Sequence, residues 1–144
     1  VIVFCATCAC VDFYGHAFRE LSRDARKTSG LPLHIGRVYS LHGKQAPKRR
    51  KAVYSGFVGD PSAVLFCTDV AARGIDIPDV DFIVQMAAPR DPAFFVHRVG
   101  RAARAGRTGQ ALLMLSESEE SYVELLRGRE LPWRSALPRP TDSP

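Results

Sequence analysis

The sequence predicts an α/β domain, a mostly parallel central sheet with helices on both faces. Apolar runs of strand length recur near residues 2–5, 37–41, 63–67, 81–85 and 111–115. Helix-like stretches separate them, and each joining loop is short. Strands that alternate with helices in this way pack as a parallel sheet, because every parallel pair needs a crossover. At 144 residues and 46% apolar content the chain can bury one ordinary core.

The elements follow in order. Val1 to Cys5 is β-rich and apolar without alternation, the pattern of a strand buried on both faces. From Val11 to about Lys27, Val11, Tyr14, Phe18, Leu21 and Ala25 recur at three or four, which predicts an amphipathic helix ended by Ser29-Gly30 and Pro32. A short strand over Val38 to Leu41 leads into His42-Gly43-Lys44. Pro47 opens a second helix, with Val53 and Phe57 inward and Lys48 to Lys51 outward. Ala63 to Cys67 and Phe82 to Gln85 are the next strands. Asp91-Pro92 starts a short helix to Gly100, since Asp caps free amides and Pro fits the first helical position. Phe94, Phe95 and Val99 would hold it on the core. Ala111 to Leu115 is the last strand, and Ser116 with Glu119 forms a capping box for a helix through Leu126. Residues 1–127 therefore make the domain, and residues 128–144, rich in Pro and Arg, read as a linker or tail.

Charge is distributed unevenly. The formal net charge is +5, yet no acid falls between Asp24 and Asp60, where eight Lys and Arg lie. None falls between Asp91 and Glu117 either, around Arg98, Arg101, Arg104 and Arg107. Two basic windows without acids point to a polyanionic partner. Cys5, Cys8, Cys10 and Cys67 come with no signal peptide and no transmembrane run, the profile of a reduced, intracellular chain with no membrane association. The apolar start at Val1, without Met, reads as a fragment of something longer.

In a parallel sheet, ligands gather outside the carboxyl ends of the strands. Thr7, His42-Gly43, Thr68-Asp69 and the Arg101 region each follow a strand or end the helix after one, so one edge should collect them. Two stretches there carry chemistry. In His97-Arg98-Val99-Gly100-Arg101-Ala102-Ala103-Arg104, the helix end and turn would present His97, Arg98, Arg101 and Arg104. Arg101 and Arg104, three apart, point the same way on a helix-like turn. Neighbouring guanidiniums repel unless an anion lies between them, and a triphosphate suits planar, permanently charged forks. A solvated basic helix end, favoured by the helix dipole, explains the same spacing. In Thr68-Asp69-Val70-Ala71-Ala72-Arg73-Gly74-Ile75-Asp76, the Thr68 hydroxyl and the next amides can reach a phosphate, and Gly74 lets backbone pass close to a ligand. A capped helical turn is the alternative.

FCTDVAARGIDIPDV followed by HRVGRAARAGRTG resembles motifs V and VI of the DEAD-box RNA helicases. VFCAT at Val3 to Thr7 is similar to motif IV, and LHGK at Leu41 to Lys44 to the start of motif IVa. Order and spacing match over residues 1–127. The resemblance implies the second of two RecA-like domains, a three-layer α/β/α unit that closes with an N-terminal RecA-like domain around ATP and RNA. It assigns Arg101 and Arg104 to the ATP phosphates and His97 and Arg98 to interdomain coupling. Asp76 falls near the ribose of ATP, with Gly74 beside the nucleotide as well. Thr7, Gly43, Thr68, Asp69 and Gly74 fall on the RNA backbone surface, where phosphate and 2′-hydroxyl contacts give a grip that is independent of sequence. Magnesium would accompany ATP, held mainly by the other domain. The partner is RNA, single-stranded or structured, and the protein a monomer.

Three positions depart from the family pattern. Pro47 stands where the family has Gln, an RNA contact that Arg49 or Arg50 would have to replace. Cys8 stands where a basic residue is common, and Ala103 replaces a Gly. IDIPDVDFIVQ with PAFFVHR is similar to the members that act in assembly of the large ribosomal subunit, which would place the parent in the nucleus, at the nucleolus, and otherwise in the cytoplasm. Neither G-x-x-x-x-G-K-[ST] nor D-E-A-D is present, so the chain alone is not expected to hydrolyse ATP. Cys5-x-x-Cys8-x-Cys10 has no second cysteine pair or paired His to complete a zinc set, and no metal is expected. His16, His34 and His42 have no nucleophile–base constellation around them. Two readings remain, half of an ATP-dependent RNA helicase and a non-catalytic RecA-like module that binds RNA or protein.

Overall fold

The computed structural model describes residues 1–28, 36–69, 78–89, 91–102 and 109–128, with side chains from 24 to 28 outside the description. Among the described residues five strands form one sheet: β1 (Ile2–Phe4), β2 (Val38–Leu41), β3 (Val64–Cys67), β4 (Phe82–Gln85) and β5 (Gln110–Leu113). Their order is β2-β3-β1-β4-β5, and all four pairings are parallel. The helices are α1 (Cys8–Thr28), α2 (Pro47–Val58), α3 (Pro92–Val99) and α4 (Ser121–Arg127), with a 3₁₀ turn at Glu117–Glu119.

Alternation along the strands divides the core into two layers. On one face Val3, Cys5 and Phe66 meet Val11, Cys10, Tyr14 and Phe18 of the α1 side. Phe66 lies between the Tyr14 and Phe18 rings, with centroids at 6.5 and 5.1 Å. On the other face Ile2, Phe4, Leu41, Leu65, Cys67 and Ile83 pack with Phe57 and Val53 of α2. The arrangement is the expected RecA-like α/β/α sandwich. Gly15 lets α1 press on β2, since a Cβ there would strike the Ser40 hydroxyl.

Local chemistry sets the helix starts. α1 begins at Cys8, earlier than the apolar period indicates, because Thr7 Oγ1 accepts the Cys10 amide at 3.1 Å. Asp91 caps α3 by accepting the Ala93 amide at 2.9 Å. The Glu119 carboxylate accepts from the Ser116 amide and hydroxyl at 3.0 and 2.9 Å, completing the expected capping box. Those bonds hold the Glu119 carboxyl below the usual range. Leu21, placed inward by the period, is instead exposed on α1. A 21-residue helix outruns the four-residue strands beneath it, so its far turns have less sheet to cover.

Candidate functional site at the carboxyl edge of the sheet

Three strand exits define the edge. Thr7 follows β1, His42 and Gly43 follow β2, and Thr68 and Asp69 follow β3. Register brings the last two together: Leu41 pairs with Cys67, and the Thr68 amide reaches the Leu41 carbonyl at 3.4 Å. Gln45 shapes the turn after β2. Its amide donates to the His42 carbonyl at 3.2 Å and its Nε2 to the Ser40 carbonyl at 3.0 Å. Gly43 and Lys44 thereby stand exposed at the tip. Lys48, Arg49 and Lys51 are exposed along α2, while Arg50 is half-buried. Thr7 is exposed, its hydroxyl oxygen engaged as the α1 cap.

Arg98 departs from expectation. It is not presented outward but is 5% exposed and turned into the domain. Its Nε and Nη2 donate to the two Asp69 carboxylate oxygens, each at 2.7 Å, and Nη1 donates to Gln85 Oε1 at 2.9 Å. The guanidinium also lies over the Phe4 ring, 4.7 Å from its centroid. A planar fork held on a carboxylate with its face on an aromatic ring is the geometry for which Arg, rather than Lys, is suited. The last turn of α3 is thus tied to the ends of β3 and β4. Asp69 correspondingly has its carboxylate occupied inside the domain, so a ligand would meet its backbone.

Arg101 follows one turn later, and its place also differs from expectation. Its carbonyl accepts the Val80 amide at 3.0 Å, and Ala102 forms a parallel bridge with Val80. Val80 precedes β4, so this backbone lies toward the amino end of the strand, away from Thr7, His42 and Thr68. The parallel bridge draws the chain there after α3 ends. Arg101 is half-buried, and His97 is exposed on α3 with its ring 6.4 Å from that of Phe94. Gly74, Asp76 and Arg104 lie outside the described residues.

Sequence reasoning missed one pairing. His42 Nε2 lies 3.1 Å from Asp12 Oδ1 on α1, thirty residues away. His42 is nine-tenths buried, and its Nδ1 has no partner among the described residues. Thr68 Oγ1 is sealed and unpartnered in the same way. The spacing of the sequence carries no signal for either.

The cysteines are all free thiols. Burial, with Cys10 nearby, pushes the Cys5 thiol up to about 11, and burial pushes Cys67 higher. Protonated thiols are poor ligands and nucleophiles. Among the described residues no group of three or more His, Cys, Asp or Glu is placed to hold a metal ion. The guanidinium of Arg101 is a planar, permanently charged fork of the kind that suits the phosphates of a nucleotide. No described helix is long and apolar enough to cross a membrane.

Comparison with known proteins places this geometry. The model of the family described as "Helicase conserved C-terminal domain" matches residues 1–106. The chain is 43% identical over 141 residues to an ATP-dependent rRNA helicase SPB4 of Mycosarcoma maydis, covering 92% of this chain and 18% of that protein. It spans about a fifth of the length of the curated relatives it matches. Among solved structures it is similar to Mss116p DEAD-box helicase domain 2 bound to an RNA duplex, with TM-score 0.68, 28% identity, and coverage of 90% of this chain and 47% of that one. It is similar also to S. cerevisiae Dbp5 bound to RNA and ADP BeF3, with TM-score 0.66, 30% identity, and coverage of 88% and 31%.

Proposed function

This chain belongs to the helicase conserved C-terminal domain family, in the DEAD-box group, and on that premise we propose that it is the second half of an ATP-dependent RNA helicase acting on ribosomal RNA. Residues 1–127 are the working domain and residues 128–144 a linker or tail. The chain supplies Arg101 and Arg104 to the phosphates of ATP and, with Asp76 and Gly74, part of the nucleotide surface. Thr7, Gly43, Thr68, Asp69, Gly74 and the basic side chains of α2, Arg49 and Arg50 among them, form its share of the RNA surface. Magnesium and most of the nucleotide grip belong to the preceding RecA-like domain, so the chain alone is not an ATPase. His97 faces that domain. The parent acts as a monomer in the nucleus, at the nucleolus. Ribosomal RNA is proposed because the relative named above is an rRNA helicase.

The observation that carries this reading is the Arg98 knot. One arginine of the motif is committed internally to Asp69 and Gln85, which fixes the turn from which Arg101 emerges. A merely solvated basic helix end would bury no arginine. When the two domains close, Arg101 would meet charge that shifts onto the phosphates in the transition state, where a preformed cation is most effective. On the RNA side, contacts limited to phosphate and sugar imply affinity without sequence preference.

The test is RNA binding by the chain as a function of salt. Weak binding to single-stranded RNA of any sequence, falling steeply as salt rises, is expected because Lys and Arg displace counterions. Charge removal at Lys48, Arg49 and Lys51 should flatten that slope. Binding that is tight, indifferent to salt or specific for one base would overturn the proposal.

A further inference from the structure

β2 ends the sheet order, so one of its sides has no neighbouring strand among the described residues. The carbonyls of Arg37 and Leu41 turn toward β3, where they accept the Val64 and Thr68 amides at 2.9 and 3.4 Å. Successive residues of a strand aim their backbone groups to opposite sides, so the Ser40 carbonyl points to the open side. Gln45 answers it: Nε2 donates to the Ser40 carbonyl at 3.0 Å, from five residues further on. The side chain stands where a neighbouring strand would supply an amide.

That bond fixes what lies on either side of Gln45. Before it, the Gln45 amide closes the turn onto the His42 carbonyl at 3.2 Å, with Gly43 and Lys44 exposed at the tip. After it, α2 starts without a side-chain cap, because its N-cap is Ala46 and its first residue, Pro47, has no amide. The start of α2 therefore takes its place from the turn it leaves, and Gln45 ties that turn to the sheet. Gln45 Oε1 is sealed from solvent, so the side-chain amide lies within the loop and not on its outer surface. The groups able to meet phosphates are the exposed cations around it, Lys44 on one side and Lys48, Arg49 and Lys51 on the other. Glycine beside Lys44 gives the tip conformational freedom that only an anchored flank removes.

Resting on the reading of this edge as an RNA surface, we propose that Gln45 is a positioning residue for it: by holding the Ser40 carbonyl it sets Lys44 and the first turn of α2 as one preformed phosphate-binding face. Gln45 acts through these neighbours and touches no RNA. A turn held only for stability would leave the contribution of Lys44 independent of Gln45. Met is unbranched and similar in length but has no amide, so Gln45→Met removes the hold and little else.

Titration of the chain with oligouridylate at several salt concentrations tests this in a double-mutant cycle of Gln45→Met and Lys44→Ala. In the unsubstituted chain Lys44→Ala should weaken binding by up to about fivefold and lower the salt slope by about 0.7, the share of one phosphate on a single strand. In the Gln45→Met chain the same substitution should change affinity by less than about twofold. In the two-domain parent, Gln45→Met should raise the RNA concentration for half-maximal ATP turnover and leave turnover at saturating RNA unchanged, a split that loss of fold would not produce. NMR of the unsubstituted chain adds a measurement free of substitution. The Gln45 side-chain amide should exchange slowly with water, and the Gly43 and Lys44 backbone amides should shift on addition of RNA. Equal effects of Lys44→Ala in both chains, a fall in saturated turnover, early unfolding of Gln45→Met, or a Gln45 amide that exchanges like an exposed one would overturn the role of Gln45 alone. So would a Lys44→Ala chain that binds as before while removal of the α2 charges weakens binding. If neither Lys44 nor the α2 charges affect binding, or the chain binds no RNA, the reading of the edge falls, and this inference with it.

Discussion

Arg98 and the His42–Thr68 pair lie at the same sheet edge and solve burial in opposite ways. Arg98 is saturated, with Asp69 bidentate, Gln85 accepting and Phe4 beneath the guanidinium plane. His42 and Thr68 are equally buried, yet each keeps a polar atom without a partner. Desolvation penalises both arrangements, but only the first is compensated within the domain. A saturated cluster fixes geometry, whereas an unsaturated one carries an uncompensated desolvation cost. The comparison separates the part of this edge that holds the chain together from the part whose polar atoms it leaves unanswered.

The largest expected effect concerns Arg101. In the two-domain parent, Arg101→Ala should lower RNA-stimulated ATP turnover by about a thousandfold or more, roughly 4 kcal/mol upward, as for arginine fingers in other nucleotide hydrolases. Arg101→Lys should fail too, because it keeps the charge and loses the fork. RNA affinity of the isolated chain should hardly change, since the Arg101 backbone is anchored near Val80 and not at the strand exits. Turnover near that of the unsubstituted parent would leave the non-catalytic binding module as the better reading.

Next in size is the knot itself. Arg98→Met strands a carboxylate and an amide oxygen, and breaking a buried pair in this way costs about 3 to 5 kcal/mol. Asp69 retains some solvent access, which argues for the lower end of that range. Denaturant unfolding of the chain measures it. A loss below about 1 kcal/mol would mean that the pair behaves as a surface contact, and the contrast with His42 would lose its basis.

Much of this architecture was legible in the sequence, and the reason is that its signals are local. Apolar runs placed all five strands within about two residues, and Pro47, Asp91-Pro92 and Ser116 with Glu119 marked helix starts by rules that act within one turn. The site was less legible. Arg98 meets Asp69 across 29 positions and His42 meets Asp12 across 30, distances over which spacing carries no information. A basic residue at a helix end reads as solvated until the fold shows what lies against it. Arg101 was assigned to the same edge as Thr68 because both follow regular elements, but the bridge from Ala102 to Val80 is a tertiary contact.

A smaller effect concerns the helix that carries the knot. Asp91→Ala removes the cap on the Ala93 amide and should cost about 1 kcal/mol, read as a modest fall in the unfolding midpoint. Turnover in the parent should fall little, because the Arg98 fork fixes the other end of α3 independently. A collapse of activity would show that the cap, and not the knot, positions the turn.

The smallest expected change in stability is the sharpest test of the comparison. Thr68→Val keeps the shape of the side chain and deletes the unanswered hydroxyl. At Arg98 the loss of a polar group leaves partners stranded. At Thr68 it strands nothing, because Oγ1 has no partner among the described residues. The domain should therefore unfold at the same denaturant concentration or slightly higher, a gain of no more than about 1 kcal/mol from relief of the desolvation cost. RNA affinity should move the other way and fall by roughly 1 kcal/mol, about fivefold, equally for every sequence. The opposite signs are what matter. A hydroxyl that held the fold together would lose stability when removed, and one that served neither purpose would leave binding unchanged. Parallel unfolding and RNA titrations on one preparation separate these outcomes, and a loss in stability without a loss in binding would move Thr68 into the same class as Arg98.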